Sequence, residues 1–220
     1  MRAVIFDLDG TLVHSAPDIH AAANRMLADV GRPALPLEDV TRFIGNGTAK
    51  LVERCLVATG GVGDAQAVAL ATYRRHFDPV HATLTRPYPG AVQCLEALSA
   101  AGLPLGLCTN RPEGSARGLL AKLALDRHFA VVVGGDTTQA LKPDPTPLNA
   151  CLQGLGADGR DAVFVGDSET DAETAHRAAI PFALFTGGYR KQPVAAVAAI
   201  AGDAVTFDDH DSLASHLISR

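Results

Sequence analysis

The chain has 220 residues, is 47% hydrophobic and 20% charged with no Trp, and carries a formal net charge of -5; this is the profile of a soluble protein with a real core, either one generous domain or a core domain carrying a smaller insertion. The acidic balance, with a pI near 5.9, excludes a basic surface for nucleic acid or an anionic membrane. No apolar run approaches the roughly 18 residues needed to cross a bilayer, and the opening "MRAVIFDLDG" is too poor in apolar residues for a signal peptide or an anchor, which places the protein in the cytoplasm.

In chain order, the first predicted element is a buried strand over residues 3–7, apolar until it stops at Asp7. From about residue 16 to about residue 86 no strand is expected, and helical patterns follow one another over 17–31, 36–45, 47–61 and 64–82. Ser15 before Pro17 suits a helix entry, and Gly31, Gly45 and Gly60 suit exits. A helix over 89–102 opens with Pro and closes with Gly, and strands over 103–109, 130–135, 161–167 and 182–186 then alternate with helices beginning after Pro112, Pro147 and Glu169. A weaker strand covers 204–207.

This alternation predicts an α/β protein, a doubly wound parallel sheet with a Rossmann-like core, and the helical interval predicts an inserted cap domain. The expected division is 1–15 and 87–220 for the core and 16–86 for the cap. Cys55, Cys94, Cys108 and Cys151 are widely spaced without a C-x-x-C pair, and read as reduced buried thiols rather than a zinc site.

Polar residues collect at the ends of the predicted strands. The first closes with Asp7 and Asp9, the second with Thr109 and Asn110, and the fourth with Asp167; Lys142 precedes a turn-rich stretch after the third. In a doubly wound sheet all of these face one crevice beyond the carboxyl ends of the strands. Singly, each has an ordinary explanation: an Asp-Gly turn, a turn entry, a helix cap, a solvated lysine. Together they put four polar loops on one face.

The ordered segments "DLDGTL" (7–12), "TNR" (109–111), "KPDP" (142–145) and "GDSETD" (166–171) resemble the four motifs of the haloacid dehalogenase-like hydrolase superfamily. The stretches "SAPDIHAAANRML", "FIGNGTAKLVERCL", "YPGAVQCLEAL" and "KPDPTPL" are similar to the phosphoglycolate phosphatases within it. The resemblance implies a phosphomonoester hydrolase with Asp7 as nucleophile, Asp9 as general acid and base, and Thr109 and Lys142 binding the transferred oxygens. Asp9, beside another acid, is expected to have a raised pKa.

The acids imply a cation, and hard carboxylate oxygens without nearby Cys or His suit Mg2+. By the family pattern its ligands are Asp7, the backbone carbonyl of Asp9, and Asp167, with Asp171 outside them. Substrate contacts are expected from Asn110, Arg111, the Gly45-Asn46-Gly47 turn, Lys50 and Arg54, the cationic ones meeting a small carboxylate such as that of glycolate. The expected partner is a small-molecule phosphate ester, 2-phosphoglycolate first, with no nucleic acid, no membrane, and a monomer or dimer as the assembly. A sugar phosphomutase, a phosphatase for another small ester or pyrophosphate, and a phospho-accepting receiver module are the rival readings. His14 stands where close relatives carry an acid, at the entrance to the cap.

Overall fold

A computed structural model describes residues 3–77, 83–202 and 204–219. Along the chain come β1 (Ala3–Phe6), β2 (Val13–His14), the helices α1 (Ala16–Asp29), α2 (Leu37–Phe43), α3 (Thr48–Ala58) and α4 (Gln66–His76), and then β3 (Arg86–Pro87). The rest alternates: α5 (Ala91–Ala100), β4 (Leu105–Cys108), α6 (Glu113–Lys122), β5 (Phe129–Val133), α7 (Thr146–Leu155), β6 (Ala162–Gly166), α8 (Glu169–Ala178), β7 (Phe182–Phe185), α9 (Val194–Ile200), β8 (Val205–Phe207) and α10 (His210–Ile218).

Six of these strands form one sheet in the order β5-β4-β1-β6-β7-β8, every neighbouring pair parallel. The expected α/β class and strand set are present. Because successive side chains on a strand point to opposite faces, Val4 and Phe6 enter a core with residues of α5, α6 and α10, while Ala3 and Ile5 enter another with residues of α7, α8 and α9. Burial on both faces explains the continuous apolar runs. β1 lies between β4 and β6, and the chain winds outward from it in both directions. The loops leaving β4, β1 and β6 are therefore neighbours at the carboxyl end of the sheet, where such folds bind ligands.

The four helices α1 to α4 pack on a third cluster of their own, including Ile19, Met26, Leu27, Val40, Leu51, Val52, Leu56 and Tyr73. Tyr189, from the loop after β7, enters this cluster from the sheet side. The predicted helix over 64–82 is shorter, ending at His76, and residues 78–82 of that prediction lie outside the described residues.

The interval expected to hold no strand ends in one. Arg86 and Pro87 pair antiparallel with His14 and Val13, and the Tyr88 amide donates to the Leu12 carbonyl at 2.9 Å. Two residues are too few to show a period, so nothing in the pattern announces them. Helices α9 and α10 were not expected either. The α9 sequence is a short, nearly uniform Ala/Val run without a polar face, whereas α10 has a readable signal in Asp209, whose carboxylate accepts from Ser212 N at 2.7 Å. Among the described residues no helix is long and apolar enough to cross a membrane.

The two connections to the helical unit are tied together by one side chain. Asp18, in the first turn of α1, accepts hydrogen bonds from the amides of Thr83 (3.2 Å), Leu84 (3.0 Å) and Thr85 (2.6 Å) and from the Thr85 hydroxyl (2.7 Å). Bonds to a charged acceptor contribute about 1.5–3 kcal/mol each in buried settings and less where exposed. Asp18→Ala is expected to cost roughly 2 kcal/mol in urea-unfolding free energy, and to speed amide hydrogen exchange at residues 83–85. Unchanged exchange there would show that the returning strand is held by other contacts.

Candidate active site

The site begins where β1 ends. Asp7 continues the ladder, its amide donating to the Val165 carbonyl at 2.8 Å, so its position is set by the sheet. Lys142, from the loop between β5 and α7, inserts its ammonium between three acceptors: Asp7 Oδ1 (2.7 Å), Asp171 Oδ1 (2.7 Å) and the Cys108 carbonyl (2.9 Å). Its side chain is 2% exposed. The other Asp7 oxygen has no hydrogen-bond partner among the described residues.

Asp167 is fixed by the turn after β1 and the loop after β7. Thr11 Oγ1 donates to one oxygen at 2.9 Å and the Tyr189 amide to the other at 2.5 Å. Gly10 makes this approach possible, since its φ is +92° and a Cβ there would stand 2.5 Å from the Asp167 carboxylate. Asp171 is held by Ser168, whose hydroxyl and amide donate to Oδ2 at 2.7 and 3.2 Å.

Asp7, Asp167 and Asp171 each bring a carboxylate oxygen within 4.8 Å of the others, all three residues being buried. Among the described residues Lys142 is the cation bonded to them, and three ionised carboxylates with one ammonium would carry two negative charges in excess. Burial pushes the Asp7 carboxyl up to about 7 against the pull of Lys142, with Asp171 and then Asp9 adding repulsion. Burial, followed by Asp171 and Asp7, also holds Asp167 well above the usual carboxylate range. Burial alone would lower the Lys142 pKa, but Asp171 and Asp7 outweigh it and hold it well above that of a free lysine. An excess of two charges on hard oxygen donors fits a divalent cation such as Mg2+.

Asp9 departs from expectation. A raised pKa is expected from the neighbouring acid; burial does push it up, yet the Arg111 guanidinium lies against the carboxylate and the net shift is downward. Arg111 Nε donates to Oδ2 at 2.9 Å and Nη2 to Oδ1 at 2.5 Å, while the Ser15 hydroxyl also donates to Oδ1 at 2.5 Å. The neighbour that governs Asp9 is 102 residues away in sequence, not the acid two residues before it.

One cavity between the sheet end and the helical unit is lined by Asp7, Asp9, Thr109, Asn110, Arg111, Lys142 and Asp167, and by Gly45 and Gly47 of the turn before α3. Asn46, Lys50 and Arg54 are not on its wall. Lys50 pairs with Glu53 at 2.7 Å on the exposed surface. Arg54 donates to the Phe43 carbonyl and to Asn46 Oδ1, and Asn46 donates in turn to Thr170 Oγ1 at 3.2 Å. These two side chains hold the turn in place. Asn110 is likewise engaged, donating to the carbonyls of Gly45 and Lys142 and accepting from Lys142 N, each at 2.9 Å. Thr109 Oγ1 accepts from Arg111 N at 3.2 Å at the cavity wall.

The sequence reading missed Thr11, Ser15, Tyr73, Phe77 and Tyr189. Tyr189 was within reach of the same logic that found Asp167, because β7 also ends at this face. Its hydroxyl accepts from the amides of Ser15 (2.8 Å) and Ala16 (3.0 Å) and shares a hydrogen bond with His14 Nδ1 at 3.1 Å. His14 thus contacts the anchor of the first connection.

Residues 4–185 match the haloacid dehalogenase-like hydrolase family. The chain belongs to that family. It is 47% identical over 196 residues to a phosphoglycolate phosphatase of Cereibacter sphaeroides, covering 88% of this chain and 89% of the relative. It is 44% identical over 222 residues to one of Rhodospirillum rubrum, covering 98% and 90%. Among solved structures, a predicted phosphoglycolate phosphatase from Haemophilus somnus superposes with a TM-score of 0.90 at 29% identity, covering 98% of this chain and 97% of that one.

A carboxyl whose pKa is raised on folding adds stability below its unfolded value, and that contribution is lost as pH climbs through the folded value. For Asp7 the window runs from the ordinary 3.8 to about 7. In chelator, Asp7→Asn is therefore expected to gain stability relative to wild type as pH rises from about 4 to about 7, by up to about 1.4 kcal/mol per pH unit. Parallel unfolding curves at each pH would contradict the buried repulsion.

Proposed function

We propose that the protein is a Mg2+-dependent phosphatase that hydrolyses a small phosphomonoester, with 2-phosphoglycolate the foremost substrate and residues 16–86 as its cap. The observation that carries this reading is Asp7: a rigid carboxylate with one oxygen on Lys142 and the other unengaged, facing a confined cavity beside a second acid. The names of the relatives support the substrate, and the four free, buried thiols support a reducing, cytoplasmic setting.

In this reading the Asp7 carboxylate attacks phosphorus, the ester P–O bond breaks, and the leaving alkoxide takes a proton from Asp9. Water then attacks the aspartyl phosphate, giving its proton to Asp9 and releasing inorganic phosphate and Asp7. Lys142 and the Thr109 hydroxyl would hold the transferring oxygens. In the ligand-free arrangement Asp9 is doubly bonded to Arg111, so its acid role requires at least one of those bonds to yield. Asp7, Asp167 and the Asp9 carbonyl would hold Mg2+, with Asp171 outside them, bonded to the Lys142 ammonium and to Ser168. Bound there, Mg2+ supplies charge neutralisation for the phosphoryl group and the carboxylates.

Asp7→Asn is expected to abolish phosphate release from 2-phosphoglycolate while still melting cooperatively. Mg2+ is expected to raise the melting temperature of wild type by binding the folded state and to raise that of Asp167→Asn far less. Substantial turnover by Asp7→Asn would refute the nucleophile, and phosphoryl return to a hexose phosphate without free phosphate would point to a mutase.

A further inference from the structure

We propose that Arg111 is the receptor for a carboxylate on the leaving group of the substrate, and that Asp9 occupies this receptor in the ligand-free protein. The proposal rests on the phosphatase reading and adds to it the residue that selects the carboxylate and the internal group that occupies it before substrate binds.

The Arg111 side chain is 4% exposed. Its guanidinium carbon lies 4.7 Å from the centroid of the Phe77 ring, which stacks on Tyr73 at 5.3 Å. Nη1 reaches Ser115 Oγ at 3.3 Å, and the two bonds to Asp9 complete its described contacts. Burial disfavours the cation, but Asp9 outweighs that effect. A guanidinium so desolvated and seated on an aromatic face binds a planar carboxylate through two parallel N–H donors. The Asp9 contact shows that a carboxylate fits.

Placement supplies the specificity. In the proposed reaction Asp9 must reach the leaving oxygen, so a substituent one carbon beyond that oxygen lies beside the group that Asp9 already touches, Arg111. The same cavity is lined by Ile19, Leu51, Tyr73 and Phe77 and by the polar Thr48, Ser168, Glu169 and Thr170, none of which is a cation. Of the other cations on the cavity wall, Lys142 is bound to Asp7 and Asp171, and Lys191 is exposed at the rim. Lys50 and Arg54, the cap cations that sequence alone offered for this task, have other partners. Exchanging the Asp9 carboxylate for that of the substrate keeps the guanidinium paired throughout, which an ester with an uncharged leaving group cannot do.

The test compares 2-phosphoglycolate with 2-hydroxyethyl phosphate, in which an uncharged hydroxymethyl group replaces the carboxylate. Wild type is expected to prefer the carboxylated ester in kcat/KM, and Arg111→Gln and Arg111→Lys to lose that preference by roughly 10- to 100-fold, the worth of a charge-assisted hydrogen bond. Lys191→Gln is expected to keep the preference, and Phe77→Leu, which removes the ring seat and leaves the charge, to weaken it less than Arg111→Gln. Binding of both esters to Asp7→Asn, with and without Arg111→Gln, is measured by calorimetry in Mg2+ and gives the same comparison without turnover. An equal loss on both esters would mean that Arg111 only orients Asp9, and loss of preference through Lys191→Gln would move the receptor to the rim; either overturns the proposal. Wild type binding both esters alike would overturn it too, while phosphate release from both would leave the phosphatase reading standing. Failure of wild type to release phosphate from either ester would remove that reading, and the binding comparison would still decide on Arg111.

Discussion

One buried ammonium group holds this site together. Lys142 joins the strand end that carries Asp7, the carbonyl of Cys108 at the end of β4, and Asp171 in the first turn of α8, so three loops distant in sequence meet at one atom. Taking an ammonium out of water costs several kcal/mol unless its partners repay it. Here they do so in excess, because the carboxylates outnumber the lysine. Burial first and then the surplus negative charge raise Asp7 and Asp167, and three hard carboxylate donors with that surplus fit a divalent cation.

Beside this cluster lies a second ion pair of different character. Arg111 and Asp9 form a bidentate contact with no surplus charge, under a lid of Phe77 and Tyr73. The first pair belongs to the sheet end alone, whereas the second touches the helical unit through Phe77. Asn110 reaches across the same boundary to Gly45, and the Tyr189 hydroxyl grips the first amides of α1 while its own amide holds Asp167. The position of the helices and the arrangement of the acids are therefore linked by side chains that serve both.

Much of this was legible beforehand, for physical reasons. Strands covered on both faces must be apolar throughout and must stop at polar residues, so residues 3–7 and 161–167 exposed both their class and the acids at their ends. Helices with Pro entries and Gly exits were equally plain. The strands β2 and β3 were not, since two residues carry no period, and α9 was not, since a uniformly small apolar helix has no polar face to reveal it. The roles given to Asn46, Lys50 and Arg54 rested on residue type and local spacing, which say that a group can bind but not what it binds.

The sequence by itself determined the fold class, the order of the polar loops and the family, because these depend on local pattern and on the end at which strands stop. It placed Asp7, Thr109, Lys142 and Asp167 at one crevice by topology alone. Only the tertiary structure decided the direction in which the Asp9 carboxyl shifts, because Coulomb attraction depends on distance in space and Arg111, 102 residues away along the chain, brings its guanidinium to both Asp9 oxygens. Of the three cations that residue type offered for a substrate carboxylate, the same physics leaves Arg111 as the candidate, because Lys50 and Arg54 have other partners.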